Sequence, residues 1–444
     1  MSRWEKYRRK SVSISLADKM SGNGDKKGLV LVAVLWLVVV LTVIVAVLGR
    51  KARLDTKISL ARMEGTRCRW ACRAGTEKAI GVLNEDTRES DGLIDTWSDN
   101  AEEFNDVALE GCWFNVRVVD EASKLNINTV TKEQLLGLFS TIDMTEDVAD
   151  AIIDWRDTDD TPSNTGVEGG YYENLPYGYK IRNGPFRTIR ELLLVKGVTE
   201  ELFYGGTRTS KGGSRTAPTD GDGPGWIDYM TCYSYDNNKD ASGNRRVNIN
   251  SADQSQLESS LGISRSQARW IVNNRGNRRY ESIADLVSRD SPQEAVRTTN
   301  NDPNAATPMD MQTFYQIADK ITVADGEKIQ GKVNINTASE VVLAALLGGG
   351  DEAERIAGDI VTYRDGLASG MESIADVMRV GSMNIDTFKR VANYLTTRSD
   401  VFTVRCFATA DRGDTSGATL QTEAVVDRSS NPCEVLYWYE GVSN

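Results

Sequence analysis

Twenty consecutive residues, Leu29 to Leu48, carry no ionisable side chain, which is enough apolar helix to cross a bilayer. Beyond them the apolar residues no longer run unbroken but recur. Leu54, Ile58, Ala61, Cys68, Cys72, Gly75, Ala79 and Leu83 stand three, four or seven apart, the spacing of one stripe along a helix. The two patterns join into one predicted helix from Leu29 to about Asn84, roughly 80 Å long at 1.5 Å per residue.

The pattern then changes period. Residues 112–120, "CWFNVRVVD", alternate apolar and polar as a half-buried strand does. Comparable strands return only near the far end: "VFTVRCFATA" from Val401, "ATLQTEAVVD" from Ala418 and "EVLYWYEG" from Glu434. The residues between read mostly as helix. The economical arrangement is one β-sheet domain built from both ends of the chain, with a helical domain inserted into it.

The insertion repeats itself. "KLNINT" from Lys124, "RVNINS" from Arg246 and "KVNINT" from Lys332 each open a helix-like run. The Thr or Ser that closes each phrase (Thr129, Ser251, Thr337) suits a helix N-cap, because its side-chain oxygen accepts a free amide hydrogen. A second helix follows in each copy ("VADAIIDWRD", "QARWIVNNRG", "IAGDIVTYRD"), then a short apolar one ("FRTIRELLLV", "YESIADLV", "MESIADVM"). Three matching pieces in one order mark an internal repeat. The expected copies are about 124–204, 246–287 and 332–395, separated by polar loops at 205–243 and 288–310.

Composition narrows the chemistry. Histidine is absent, which excludes Ser-His-Asp and Cys-His catalysis and any histidine-bound metal. No nucleophile–base set or phosphate-binding loop is visible, so an enzyme is not expected. The net charge is −12, opposite to the basic face that neutralises phosphates. Six cysteines occur without a Cys-x-x-Cys pair; if the body is exported, a Cys406–Cys433 bridge between C-terminal strands is one reading and small buried thiols are the other.

The phrase that opens each repeat resembles the start of a helix-hairpin-helix unit, a module that often binds DNA. Such hairpins offer amides and basic side chains to a phosphate. Here the first and third turns carry Asp143, Glu146, Asp147, Asp351, Glu352 and Glu354, whose charges repel DNA. No nucleic-acid partner is expected, and the repeats read as protein-interaction scaffold.

One repeat departs from its siblings. Between its second and third helices it inserts a loop carrying Asp154, Asp157, Asp159, Asp160, Glu168 and Glu173. Oxygen ligands at that density suit calcium; the same loop also reads as a solvated acidic surface.

At the N-terminus, a leader with eight basic and three acidic residues precedes Gly28 and the apolar run, a bias that favours a cytoplasmic N-terminus. Glycine after two lysines and before an uncharged helix resembles the type IV prepilin signal, cut on the cytoplasmic side between Gly28 and Leu29. The "KKGL" site, the "VLW" run, the long stem, the block "DWRDTDD…GVEGGYYE…NGPF" and the "VFTVR" ending together resemble type II secretion system protein K, a minor pseudopilin family.

That resemblance implies an α+β, pilin-like fold: a long N-terminal helix on an antiparallel β-sheet, with a large inserted α-helical domain of helix-hairpin-helix-like (SAM-like) repeats. The segments are then a leader (1–28), a transmembrane helix (29–49), stem and first strands (50–123), the inserted domain (124–396) and C-terminal strands (397–444). It implies a structural calcium ion in the inserted domain and a single pass through the inner membrane with the bulk in the periplasm. The implied role is a non-enzymatic subunit near the tip of the pseudopilus, acting in its initiation and in protein export. Implied partners are the I- and J-type minor pseudopilins, inner-membrane assembly components and the prepilin peptidase. Ordinary pilins carry glutamate as fifth residue of the mature chain; here that position is Ala33, which points to a first-placed subunit. A pilin-like DNA-uptake protein shares the gross plan and is the alternative, but it should carry basic hairpins.

Overall fold

The computed structural model describes residues 25–138, 144–205, 224–288, 306–411 and 416–441. Leader residues 1–24, Asp143 of the first hairpin turn, and residues 206–223 and 289–305 of the two polar loops lie outside them. The chain divides into two compact units, up to Met63 and from Glu64 onward.

The first unit is the N-terminal part of helix α1 (Asp25–Glu85). Its residues from Leu29 to Leu48 are exposed on every side, Leu29 by 73% and Val45 by 67%. A uniformly apolar helix without a protein core around it is what a lipid environment selects. Thr42 turns its hydroxyl back onto the carbonyls of Val38 and Val39, which satisfies that group without water.

In the second unit, the stripe read from the sequence is the face that α1 buries. Cys68, Ala71, Cys72, Ala79 and Leu83 are fully buried against a five-stranded antiparallel sheet. The strands are β1 (Val107–Leu109), β2 (Cys112–Asp120), β3 (Val401–Asp411), β4 (Ser416–Asp427) and β5 (Glu434–Gly441), in spatial order 1-2-3-4-5. Strand β2 pairs with β3 from Asp120 opposite Phe402 to Cys112 opposite Ala410. The sheet is therefore made from both ends of the chain. Gly75 sets the spacing: a Cβ there would lie 2.7 Å from Cys406 Sγ and 2.9 Å from Val116 Cγ2. Any larger residue would push the helix off the sheet.

The Cys406–Cys433 bridge is not available. Cys406 lies mid-strand, opposite Val116 and Thr422. Cys433 directly precedes Glu434, which pairs with Asp427, itself opposite Val401. Five strand residues separate the two rows, about 16 Å, against the roughly 7 Å that a disulfide spans between Cα atoms. Cys433 instead donates to Asn84 Oδ1 at 3.1 Å. Alternation marked both cysteines as strand neighbours but could not give the register.

The three repeats follow one construction. Each opens with a two-residue strand that pairs in parallel with another at its own end: Leu125–Asn126 with Met230–Thr231, Val247–Asn248 with Ile321–Thr322, and Val333–Asn334 with Leu395–Thr396. The first two copies thus run past their expected limits at 204 and 287. Helix Trp226–Tyr229, within the stretch expected as loop 205–243, belongs to the first. Trp226, Ile227 and Met230 are buried, a short apolar run easily lost beside a glycine-rich one.

The asparagines hold each copy shut. In every copy the first asparagine accepts the amide of the second: Asn126 from Asn128, Asn248 from Asn250, Asn334 from Asn336. The second then grips both backbone groups of one distant residue, Phe186, Tyr280 or Met371, at 2.7–3.0 Å. An arginine from the second helix completes the frame by donating to two carbonyls of the opening turn: Arg156 to Ile127 and Val130, Arg275 to Ile249 and Ala252, Arg364 to Ile335 and Ala338. Buried backbone groups must find partners, and here the repeated phrase supplies them. The "NIN" signature is a structural device.

Candidate metal centre in the first repeat

Helix α2 (Glu146–Arg156) is the second helix of the first copy. Asp150 and Asp154 stand four apart on it, one turn, and so share a face; both are buried. Asp150 accepts the backbone amide and hydroxyl of Thr165 at 3.2 and 2.7 Å and pairs with Lys132 at 2.7 Å. Asp154 accepts the amide of Ser163 at 3.1 Å and its hydroxyl at 2.6 Å. Together they draw the inserted loop back over the end of α2. The loop crosses so close that a Cβ on Gly166 would fall 2.0 Å from Asp154 Oδ2, which requires glycine there.

Asp157, just past the helix end, and Glu168, the residue before helix Gly169–Glu173, then meet Asp154. One carboxylate oxygen from each of the three lies within 4.8 Å of the others. Asp157 Oδ1 and both Glu168 oxygens are sealed from solvent without a hydrogen-bond partner. Asn183 lies against the same loop, its amide nitrogen donating to Asp159 O at 3.0 Å and Asp160 Oδ1 at 2.9 Å. That leaves Asn183 Oδ1 buried and unpartnered as well. Its φ of +45° is a left-handed conformation that asparagine tolerates better than most residues.

The electrostatics agree with the geometry. Burial, then the charges of Asp154, Asp157, Asp159 and Asp160, push the Glu168 carboxyl up to about 7. Burial, then Asp159 and Asp154, raise Asp157. Four buried acceptor oxygens with no donor, among crowded carboxylates, are what an oxygen-bound cation satisfies. A second acidic group, Asp86, Asp91 and Asp95, is different in kind. Arg428 pairs with Asp86 at 2.8 Å and with Asp91 at 2.5 Å, while Asp95 accepts from Gly92 and Trp97. Each of its carboxylates already has an ion-pair or hydrogen-bond partner.

Of the six carboxylates expected as ligands, the fold brings together Asp154, Asp157 and Glu168. Asp159 and Asp160 are exposed, and their oxygens already accept from Thr161 and Asn183; they contribute field rather than contact. Glu173 is exposed at the end of its helix, five residues past Glu168 and so on the other side of a helical turn. Asn183 was missed, because a search for charge passes over a neutral amide. The Asn-Gly pair, a turn signal, was the available clue.

Gly28, Leu29 and Ala33 lie along the exposed N-terminal part of α1.

Residues 112–204 match the family model for type II secretion system protein K. That span contains β2, α2 and every residue of the acidic cluster. A curated relative, type II secretion system protein K of Pectobacterium carotovorum subsp. carotovorum, is 27% identical over 202 residues. The match covers 40% of this chain and 60% of that protein, less than two thirds of its length. Among solved structures, a chain from the GspK-GspI-GspJ complex of the enterotoxigenic Escherichia coli type 2 secretion system superposes with a TM-score of 0.49. It is 14% identical, over 86% of this chain and 98% of that one. The resemblance to protein K read from the sequence stands on the family model over residues 112–204 and on the curated relative.

Proposed function

We propose that this chain is a minor pseudopilin of a type II secretion system, a structural subunit rather than an enzyme. The observation that carries the reading is that the stretch matching protein K is also the stretch that builds the acidic cluster. On this reading a prepilin peptidase cuts between Gly28 and Leu29, and α1 remains as a single-pass anchor in the inner membrane. The rest of the chain then lies in the periplasm, where it meets the I- and J-type minor pseudopilins and the inner-membrane assembly components. The three repeats are helix-hairpin-helix-like (SAM-like) units used as protein scaffold. The DNA-uptake alternative gains no support, since the groove beside Gly348–Gly350 is lined by Glu133, Asp351 and Glu354 against one cation, Lys132, which already pairs with Glu146 and Asp150.

The cofactor in this reading is calcium, held by Asp154, Asp157 and Glu168 with Asn183 Oδ1 as a neutral donor. Bound calcium supplies positive charge to carboxylates that otherwise face only one another. Asp154, Ser163, Asp150 and Thr165 hold the loop in place for it. An all-oxygen donor set excludes the softer metals that prefer thiolate or imidazole.

The placement is at the pseudopilus tip. A shaft subunit of this class offers a buried glutamate to its neighbour's N-terminal amine; Ala33 leaves nothing to offer, and a first-placed subunit has no need of it. Deleting the gene tests the whole reading. Normally secreted proteins should accumulate in the periplasm, and affinity purification of the intact protein should recover other minor pseudopilins. Unimpaired export would refute it.

A further inference from the structure

Helix α1 and the sheet meet through four buried cysteines: Cys68 and Cys72 from the helix, Cys112 from β2 and Cys406 from β3. Two of these sulfurs face each other. Cys68 Sγ lies 4.0 Å from Cys112 Sγ, between residues 44 apart in the chain. Cys68 Sγ also donates to the Ala418 carbonyl at 3.2 Å. Cys72, one turn further along, donates to the carbonyls of Cys406 and Leu420 at 3.6 Å and meets the Cys406 thiol as well. We propose that Cys68 and Cys112 form a disulfide that fixes helix α1 to strand β2. The inference rests on the export reading, because thiols are kept reduced in the cytosol and oxidised in the periplasm.

Closing 4.0 Å to a bond of about 2.05 Å asks a sulfur shift of about 2 Å, within the reach of rotation about one Cα–Cβ bond. The oxidant is a disulfide-bearing partner, a protein disulfide in the cell. Cys112 loses its proton and attacks one sulfur of the oxidant, giving a mixed disulfide and releasing the first oxidant thiol. Cys68 then loses its proton and attacks Cys112 Sγ; the Cys68–Cys112 bond forms as the second oxidant thiol leaves. Two thiols are oxidised to one disulfide, and one disulfide is reduced to two thiols.

Neither thiol is a ready nucleophile in the closed fold. Burial raises Cys112, though the contact with Cys68 and the charge of Arg67 oppose it. Cys68 is pushed up to about 12, by burial first and then by Cys112. Cys68 is wholly buried and Cys112 2% exposed, so an oxidant reaches them before the sheet closes over the helix.

The test uses the full chain, purified in detergent and refolded with a mixture of reduced and oxidised glutathione. Alkylation in denaturant, digestion and mass spectrometry should reveal a Cys68–Cys112 linked peptide, lighter by two hydrogen atoms than its separate halves. Cys68→Ser should free Cys112 for alkylation, and Cys112→Ser should free Cys68. Full alkylation of both cysteines in the unreduced wild type, or a linkage of Cys68 to any other cysteine, overturns the proposal. The wild-type map decides it even if a variant fails to fold. Protein taken directly from cells separates the two readings: a bond made in glutathione but absent from cells counts against export, not against the pairing.

Discussion

The first and third repeats use the same frame and fill it differently. In both, an arginine donates to two carbonyls of the opening turn, and an asparagine clamps a residue further on. In the third, only the residues from Asp365 to Gly370 separate Arg364 from the clamped Met371. In the first, the residues from Asp157 to Pro185 separate Arg156 from the clamped Phe186. The extra chain carries Asp157, Glu168 and Asn183, whose buried oxygens lack donors. What the copies share closes the fold; what only the first possesses is the candidate site. A loop bounded by two fixed points can lengthen at small entropic cost, so a frame of this kind accepts a site without being rebuilt.

The largest effect should come from the shared frame. Arg364 is buried, and its removal strands the carbonyls of Ile335 and Ala338. Arg364→Ala should cost about 3 kcal/mol, the scale for losing charged hydrogen bonds to buried groups. Arg156→Ala should cost a similar amount in the first copy. Urea unfolding of the intact protein in detergent measures both, and a change below about 1 kcal/mol in either would break the equivalence of the frames.

Next comes the feature they do not share. Calcium at about 100 times its dissociation constant should stabilise the folded chain by about 2.7 kcal/mol, seen as a higher melting temperature than with chelator. Asp157→Asn should remove most of that gain, while Asp365→Asn, the matching residue after the third copy's arginine, should leave it intact. Equal melting with and without calcium in the wild type would remove the site.

The clamps should follow at about 2 kcal/mol each, two neutral buried hydrogen bonds being lost. Asn336→Ala is expected to destabilise the calcium-free protein by that amount. Asn128→Ala should do the same and also weaken calcium binding, because Asn128 fixes Phe186 at the far end of the metal loop. Calorimetric titration that finds unchanged affinity in Asn128→Ala would show that the loop holds its shape without its anchor.

How far the sequence could be read follows from the range of each interaction. Helix α1 was legible because its signal lies within the chain itself: an unbroken apolar run, then residues spaced to one face. The long strands showed by alternation, and the threefold "NIN" by identity. The closing bridges at Met230, Ile321 and Leu395 are two residues each, too short to alternate. Their pairing is tertiary. The acid-rich loop was visible as density of charge, but which three carboxylates converge depends on Ser163, Thr165 and Gly166 folding the loop over α2. Cys406 and Cys433 failed as a pair for the same reason, since register is set by the whole sheet.

The smallest effect is the pH dependence that Glu168 adds in the first copy. A glutamate carboxyl ordinarily titrates at 4.5, and in the calcium-free fold burial and neighbouring carboxylates push Glu168 up to about 7. The folded state therefore holds this proton more tightly than the unfolded chain does. Its contribution to stability is complete below about 4.5 and is lost as pH rises through about 7. Asp157, raised for similar reasons, changes in the same sense. Calcium inverts the dependence, because it competes with the proton for the same oxygens: the stabilisation it brings should shrink as the buffer is acidified through that window. Glu168→Gln keeps the shape and removes the titration, so in chelator the variant should lose less stability than the wild type between about pH 4.5 and about pH 7. Melting both proteins across that range checks it. Parallel profiles would mean that Glu168 titrates normally, and that its oxygens are better solvated than their burial indicates.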